Sequence, residues 1–194
     1  LIAIAATLHT ARFRKGGVMA RIPPLDREAA SPAIRSEYDR QIEAHGRVTN
    51  MKRTLGRSPV AFRALMEWYA LEQEVVPFLG ERRTRLFSHA ISSQTDCLIC
   101  STYFRRISIE KGEDPDHPRL DDDDRTILEY ARQLARDPHQ VSDDLFARLE
   151  RMLSPDQIVT LTAFGGLMIA TNVFNDALRV DLDEYLIPYR ATGR

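Results

Sequence analysis

The chemistry-bearing feature of this 194-residue chain is its only pair of cysteines, in Thr95-Asp96-Cys97-Leu98-Ile99-Cys100-Ser101. Two cysteines placed at random in a chain of this length would fall three positions apart roughly one time in a hundred, so the spacing is informative. The thiolate is the reactive form of cysteine, and a helix N-terminus favours it through unpaired amide groups and the positive end of the dipole. Thr95 or Asp96 is a natural cap for a helix beginning at Cys97. Cys100 then lies one turn further on the same face, within reach of a disulfide, so that Cys97 attacks and Cys100 resolves. Asp96 opposes this, because a neighbouring carboxylate disfavours a second negative charge, and Arg105 and Arg106 offset it only by folding back. Two plainer readings stay open. The pair can be inert core, since Leu98 and Ile99 between the cysteines are apolar. It can be half of a metal site, but His89 and His117 are the nearest histidines and no second Cys-x-x-Cys completes four ligands, so neither metal nor cofactor is expected.

The elements that must position the pair read as helices punctuated by Ser-Pro, Gly and Pro. Ser31-Pro32 opens a helix to about Ala44, stopped by Gly46, and a short helix follows over Asn50 to Leu55. Ser58-Pro59 opens the next, with Phe62, Leu65, Met66, Tyr69 and Val76 on one side, ended by Pro77 and Gly80. A helix from Glu81 to Gln94 leads into the cysteines, and Gly112, Pro115 and Pro118 mark the loop beyond them. The acidic run Asp121 to Asp124 starts another helix, which buries Ile127, Leu128, Ala131, Leu134 and Ala135, and is read as structural. Pro138 ends that helix and Ser142 caps one reaching Met152. Ser154-Pro155 opens the last, to Leu178, apolar nearly all round and so buried on several sides. Gly165-Gly166 in its middle predicts a close backbone approach. The stretch from Asp181 reads as mixed and partly extended. No strand alternation occurs, so the fold class is all-α, a bundle of about seven or eight helices.

Composition narrows the role. A net charge of -1 argues against a nucleic-acid or membrane-surface partner, and no apolar run reads as long enough to span a bilayer. Two cysteines are too few for a secreted disulfide scaffold, which makes a cytoplasmic location the default. Leu1 to Leu8 is apolar and is followed by Arg12, Arg14 and Lys15, the reverse of a secretory signal. Residues 1–18 therefore read as an N-terminal extension without function, and 19–194 as a single helical domain.

The cysteine pair, the segment Gly46-Arg47-Val48-Thr49-Asn50 with Leu55 and Ser58-Pro59, the run from Leu79 to Cys100, and Phe174-Asn175-Asp176-Ala177-Leu178 together resemble the carboxymuconolactone decarboxylase superfamily. The resemblance is to its alkylhydroperoxidase-D-like, peroxidase-related branch, and runs from about Ala44 to Val180. It implies an all-helical bundle assembled as a trimer or hexamer, in line with the apolar surplus at Trp68, Tyr69 and the last helix. In redox-active members a glutamate twelve positions before the first cysteine and a histidine four after the second relay protons. Those positions hold Arg85 and Phe104 here. Glu81, His89, Glu67 and Tyr69 are the candidate substitutes, and Arg85 would favour a thiolate by its permanent charge. The activity implied is thiol–disulfide exchange by Cys97 and Cys100. The substrate is a small molecule, a hydroperoxide or a disulfide, and the pair is re-reduced by a lipoyl- or thioredoxin-type partner rather than a bound cofactor. The alternatives are a decarboxylase acting on a small lactone acid, or a catalytically silent oligomer that binds a ligand.

Overall fold

The computed structural model describes residues 20–191; the extension expected over 1–18 lies outside the described residues. Among the described residues the chain forms eight α-helices, three short 3-10 turns and no strand. The helices are α1 (Pro32–His45), α2 (Asn50–Leu55), α3 (Pro59–Leu79), α4 (Glu81–Gln94), α5 (Leu98–Glu110), α6 (Asp122–Arg136), α7 (Asp143–Glu150) and α8 (Pro155–Leu178). The all-α bundle anticipated from the sequence is the one observed.

The helix starts follow from capping chemistry. The hydroxyls of Ser31, Ser58 and Ser154 accept from the backbone N–H groups of Ile34, Ala61 and Gln157, and a proline stands at the first helical position each time. Gln157 returns a bond to the Ser154 N–H at 2.9 Å, closing a reciprocal cap. Pro77 does not end α3 as expected. It costs one hydrogen bond near the end of the helix, and the stop is made by Gly80, at φ 82°, directly after Leu79. The helix carrying the cysteines also starts later than anticipated. Thr95 closes α4, Asp96 adopts a left-handed φ of 59°, and Cys97 is itself the cap residue of α5. A short polar side chain tolerates that conformation, so Asp96 serves as the corner between α4 and α5 rather than as a cap.

α4 lies at the centre, against α3, α5, α6 and α8. Phe87, Ile91, Ile127, Ala131, Leu161 and Phe164 fill the space between them, and a smaller cluster of Ile34, Tyr38, Leu55 and Phe62 joins α1 and α2 to α3. The close approach predicted at the glycine pair belongs to Gly165 alone. A Cβ there would lie 3.0 Å from Phe87 Cζ and 3.1 Å from Leu134 Cδ1, whereas Gly166 faces open space.

α8 is not enclosed on every side within one chain. Ile158, Leu161, Phe164 and Met168 are buried, but Val159, Ala163, Gly166, Ala170, Val173 and Ala177 form an exposed apolar stripe spaced alternately four and three residues apart. At 24 residues and mean hydropathy 1.5, α8 is long and apolar enough by composition to cross a bilayer, contrary to the sequence reading. Its inner face instead packs into the bundle core, with buried Asn172 and Asn175 near its end. The segment after α8 also differs from expectation. It forms a 3-10 turn over Glu184–Tyr189 that packs on α5.

The acidic run at α6 is structural, and more than a dipole partner. Asp121 and Asp124 cap each other's backbone, and Asp124, 2% exposed, accepts from Arg82 at 2.6 Å and Arg83 at 2.9 Å on α4. Burial alone would raise the Asp124 carboxyl, but the two arginines and the cap outweigh it and hold its pKa below the usual range. Asp124→Ala should lower the unfolding free energy by about 2–3 kcal/mol, through a lost cap and lost charge-assisted bonds. A carboxyl lowered on folding stabilises at neutral pH and loses that contribution as pH falls through its folded-state pKa. The difference between wild type and variant in denaturant melts should therefore shrink on acidification. An undiminished difference at low pH would assign the effect to packing.

Candidate functional site

Cys97 and Cys100 sit where α5 begins, and both are free thiols. Cys97 has no exposed surface and Cys100 is 6% exposed. The Cys97 N–H donates to the Ser92 carbonyl at 3.0 Å, which ties the corner back onto α4. α8 supplies the polar groups. Asn172 donates through Nδ2 to the Thr95 hydroxyl at 2.9 Å, and one turn on Asn175 donates to Cys100 Sγ at 3.3 Å, with Cys97 Sγ at 4.0 Å. Asn175 Oδ1 is buried and without a hydrogen-bond partner. Asp176, the next residue, has its carboxyl raised by burial, with a hydrogen bond from Cys97 working against that rise. The Cys100 thiol is raised well above its ordinary value, first by its hydrogen bond to Cys97 and then by burial, with the Asn175 amide opposing. Cys100 thus lies between a donor amide and its fellow sulfur.

Cys100, but not Cys97, lines a cavity of 290 Å³. The walls are aromatic: Trp68 and Tyr69 from α3, Tyr103 and Phe104 from α5, and Tyr185 from the last 3-10 turn. Phe104, at the position where the resemblance places a histidine, lies with its ring centroid 6.3 Å from that of Trp68. The polar groups are mostly cationic. Lys52 on α2 is 3% exposed, its amine donates to the Gln41 side-chain oxygen, and its Nζ stands 4.8 Å from the Tyr69 ring centroid. Burial lowers its pKa to about 8, against the attraction of Asp183. His45 stacks on the other reach of Tyr69 at 4.9 Å, with its pKa lowered by burial and by Lys52. Asp183 accepts the Asn50 N–H at 2.9 Å through Oδ1.

Of the auxiliary residues anticipated from the sequence, only Tyr69 reaches this cavity; burial raises its pKa. Arg85 is buried but turned along α5. It donates to Ser108 at 3.1 Å and to Glu113 at 2.5 Å, and Ser108 is more than two turns beyond Cys100. Its charge is compensated by a carboxylate there. Glu81 pairs with Lys111 at the surface, Glu67 is exposed, and His89 is half-buried beside a different cavity with Ser101, Arg105 and Arg132. Sequence reasoning did not single out Lys52, Asp183, Asn175 or Asp176 as site residues. Asn175 and Asp176 stood within a segment that carried the family resemblance, which was the available signal. Among the described residues no group of three or more His, Cys, Asp or Glu side chains is placed to hold a metal ion.

This all-helical bundle, with Cys100 at the wall of an aromatic cavity, has the fold of the alkylhydroperoxidase-D-like, peroxidase-related proteins. The core of an alkylhydroperoxidase-D-like, uncharacterized peroxidase-related protein from Ralstonia eutropha superposes with TM-score 0.74 at 18% identity, over 88% of this chain and 96% of that one. The debrominase Bmp8, in a variant complexed with 2,3,4-tribromopyrrole, gives TM-score 0.72 at 16% identity, over 87% and 94%. An uncharacterized peroxidase-related protein from Silicibacter gives 0.68 at 16%, over 91% and 97%. No family model and no curated protein matches the chain by sequence. At these identities the likeness is one of fold.

The Asn175 amide is the polar side chain that favours an ionised Cys100. Asn175→Ala should raise the Cys100 pKa further and slow its alkylation by monobromobimane about ten-fold at pH 8, the scale of one hydrogen bond to a charged sulfur. Peptide mapping after timed labelling reads this site by site. An unchanged rate and pH profile at Cys100 would show that the amide has no hold on the sulfur.

Proposed function

We propose that the chain is a dithiol oxidoreductase that reduces an organic hydroperoxide, with Cys100 meeting the substrate and Cys97 resolving. The observation that carries this is the placement of Cys100 at the cavity wall with Cys97 buried behind it. It inverts the order inferred from sequence. In the first step Cys100 sulfur attacks the terminal peroxide oxygen and the O–O bond breaks. The alcohol leaves with the thiol proton, and Cys100 is left as a sulfenic acid. In the second, Cys97 sulfur attacks the Cys100 sulfur, water departs and the disulfide forms. Two thiols of a lipoyl- or thioredoxin-type partner then reduce the disulfide and are oxidised in its place.

Asp176 is the base in this reading. The Cys97 thiol works against the burial-driven rise of its carboxyl, which sets a carboxylate beside the resolving sulfur, and its exposure lets a proton reach water. It assumes a task for which Arg85 and Phe104 are unsuited. A peroxidase-related role is in keeping with the structural neighbours, and the debrominase complex with a brominated pyrrole supports a small organic molecule as the occupant of such a cavity. Two cysteines are too few for a secreted disulfide scaffold, and we assign the protein to a reducing compartment such as the cytoplasm. The exposed stripe along α8 is the surface we assign to contact between copies in a trimer or hexamer, since its alternating three- and four-residue spacing suits helix-on-helix packing.

Titration of free thiols after one equivalent of cumene hydroperoxide tests the chemistry. Wild type should lose two thiols and Cys97→Ser one, its Cys100 stopping as a sulfenic acid that dimedone traps. Cys100→Ser should lose none at a rate above that of free cysteine, and Asp176→Asn should slow disulfide closure about a hundred-fold without slowing sulfenic acid formation. Loss of thiols from wild type no faster than from free cysteine would leave a ligand-binding role only. For assembly, Ala170→Glu should bring the mass by light scattering down to the 22.2 kDa of one chain. An unchanged oligomer would place the contact elsewhere.

A further inference from the structure

The polar groups of the Cys100 cavity leave hydrogen bonds unmade. Lys52 is 3% exposed, yet among the described residues its amine has one hydrogen-bond acceptor, the Gln41 side-chain oxygen, together with the face of Tyr69 at 4.8 Å. An ammonium carries three N–H donors, and leaving buried donors unfilled is costly. Asp183, 9% exposed and on the same cavity wall, has committed Oδ1 to the Asn50 N–H and leaves Oδ2 buried without a partner. Arg47 stands at the exposed rim, its guanidinium 4.0 Å from the centre of the Tyr185 ring. Arg106, between Tyr103 and Tyr185, is already engaged by Glu110 at 3.3 Å. One carboxylate thus faces two cations, Lys52 and Arg47, that have no ion pair within 4 Å among the described residues. The remaining surface is ring faces and edges. The 290 Å³ volume is roughly twice the ~150 Å³ cavity that accepts benzene, which suits one substituted ring or two fused rings.

We propose that this cavity binds a planar aromatic molecule bearing an ionised oxygen group, such as an aromatic carboxylate. Lys52 anchors the charge, and Trp68, Tyr69 and Tyr103 flank the ring. Arg47 adds to the attraction at the mouth, and Asp183 Oδ2 accepts from a hydroxyl beside the charge when the ligand carries one. As the substrate class for the same site, this builds on the thiol reading above, because a hydroperoxide on such a ring is thereby presented to Cys100. The binding step itself needs no thiol chemistry and is measured without it.

The probe is 2-naphthoate, titrated calorimetrically at pH 7 into the reduced protein with no oxidant present. Its comparators are the uncharged 2-naphthalenemethanol and the non-aromatic cyclohexanecarboxylate. Naphthoate should saturate one site per chain and bind about ten-fold more tightly than either comparator, the scale of one charge-assisted hydrogen bond or one set of ring contacts. Trp68 is the only tryptophan in the chain and lines the cavity, so its emission should change in step with the heat. Lys52→Met should bring naphthoate down to the affinity of the alcohol. Arg47→Ala, at the exposed rim where the fold is not at risk, should weaken naphthoate by a smaller factor and leave the alcohol unchanged. Equal affinity for naphthoate and the alcohol, heat without saturation, or saturation without a change in Trp68 emission would each overturn the proposal. If naphthoate fails while peroxide still removes two thiols from wild type, the ligand class is wrong and the dithiol chemistry stands. If naphthoate binds as described and peroxide removes none, the ligand class stands and the redox reading is wrong.

Discussion

The contact between Phe87 and Gly165 sets the position of the polar groups that α8 brings to the cysteines. Because Gly165 carries no side chain, α8 lies against α4 at a distance where a single methyl group would touch the Phe87 ring at 3.0 Å. Asn172 and Asn175 follow Gly165 by seven and ten residues, about two and three helical turns on the same face. The approach at the glycine therefore determines how near the two amides come to Thr95 and to the cysteines. A bulkier residue at 165 would move the helix outward by tenths of an ångström, and the 3.3 Å bond from Asn175 to Cys100 has little slack to absorb that.

The pair itself occupies an environment with two sides. Towards the cavity, Phe104, Trp68 and Tyr103 surround the approach to Cys100, with Lys52 and Asp183 further along the wall. Towards α8, an amide donor and an exposed carboxylate handle charge. In the dithiol reading proposed above, substrate meets Cys100 from the cavity while the resolving proton leaves by way of Asp176 on α8. In an arrangement with glutamate and histidine flanking the motif, proton handling is tied to the helices that carry the cysteines. In the dithiol reading proposed above, it falls here to a helix from much later in the chain.

Much of this architecture is readable in the sequence because it depends on neighbours along the chain. Ser31, Ser58 and Ser154 each announce a helix by a bond to a residue three positions on, and the Cys-x-x-Cys spacing is equally local. The misreadings arise where a backbone angle or a distant partner decides. Asp96 looks like a cap until its left-handed turn makes Cys97 the cap residue instead. Arg85 has the right spacing to serve the cysteines, but Glu113 and Ser108 claim its guanidinium. Nothing in the sequence singles out Lys52 on its short helix, and only the fold shows it buried beside Tyr69. The all-round apolar character of α8 is correctly seen, but periodicity cannot say which stripe meets the core and which remains open.

The sequence separation within the site bears on how the protein is made. Asn175 follows Cys100 by 75 residues, and Asp183 and Tyr185, which close the cavity wall, come later still. During synthesis, at about 5–20 residues per second, the two cysteines leave the ribosome several seconds before the helix that shelters them. Throughout that interval they are an uncovered dithiol on a nascent chain, open to any oxidant or stray disulfide nearby. The shelter that tunes these sulfurs in the finished protein is thus also the last part of their protection to arrive.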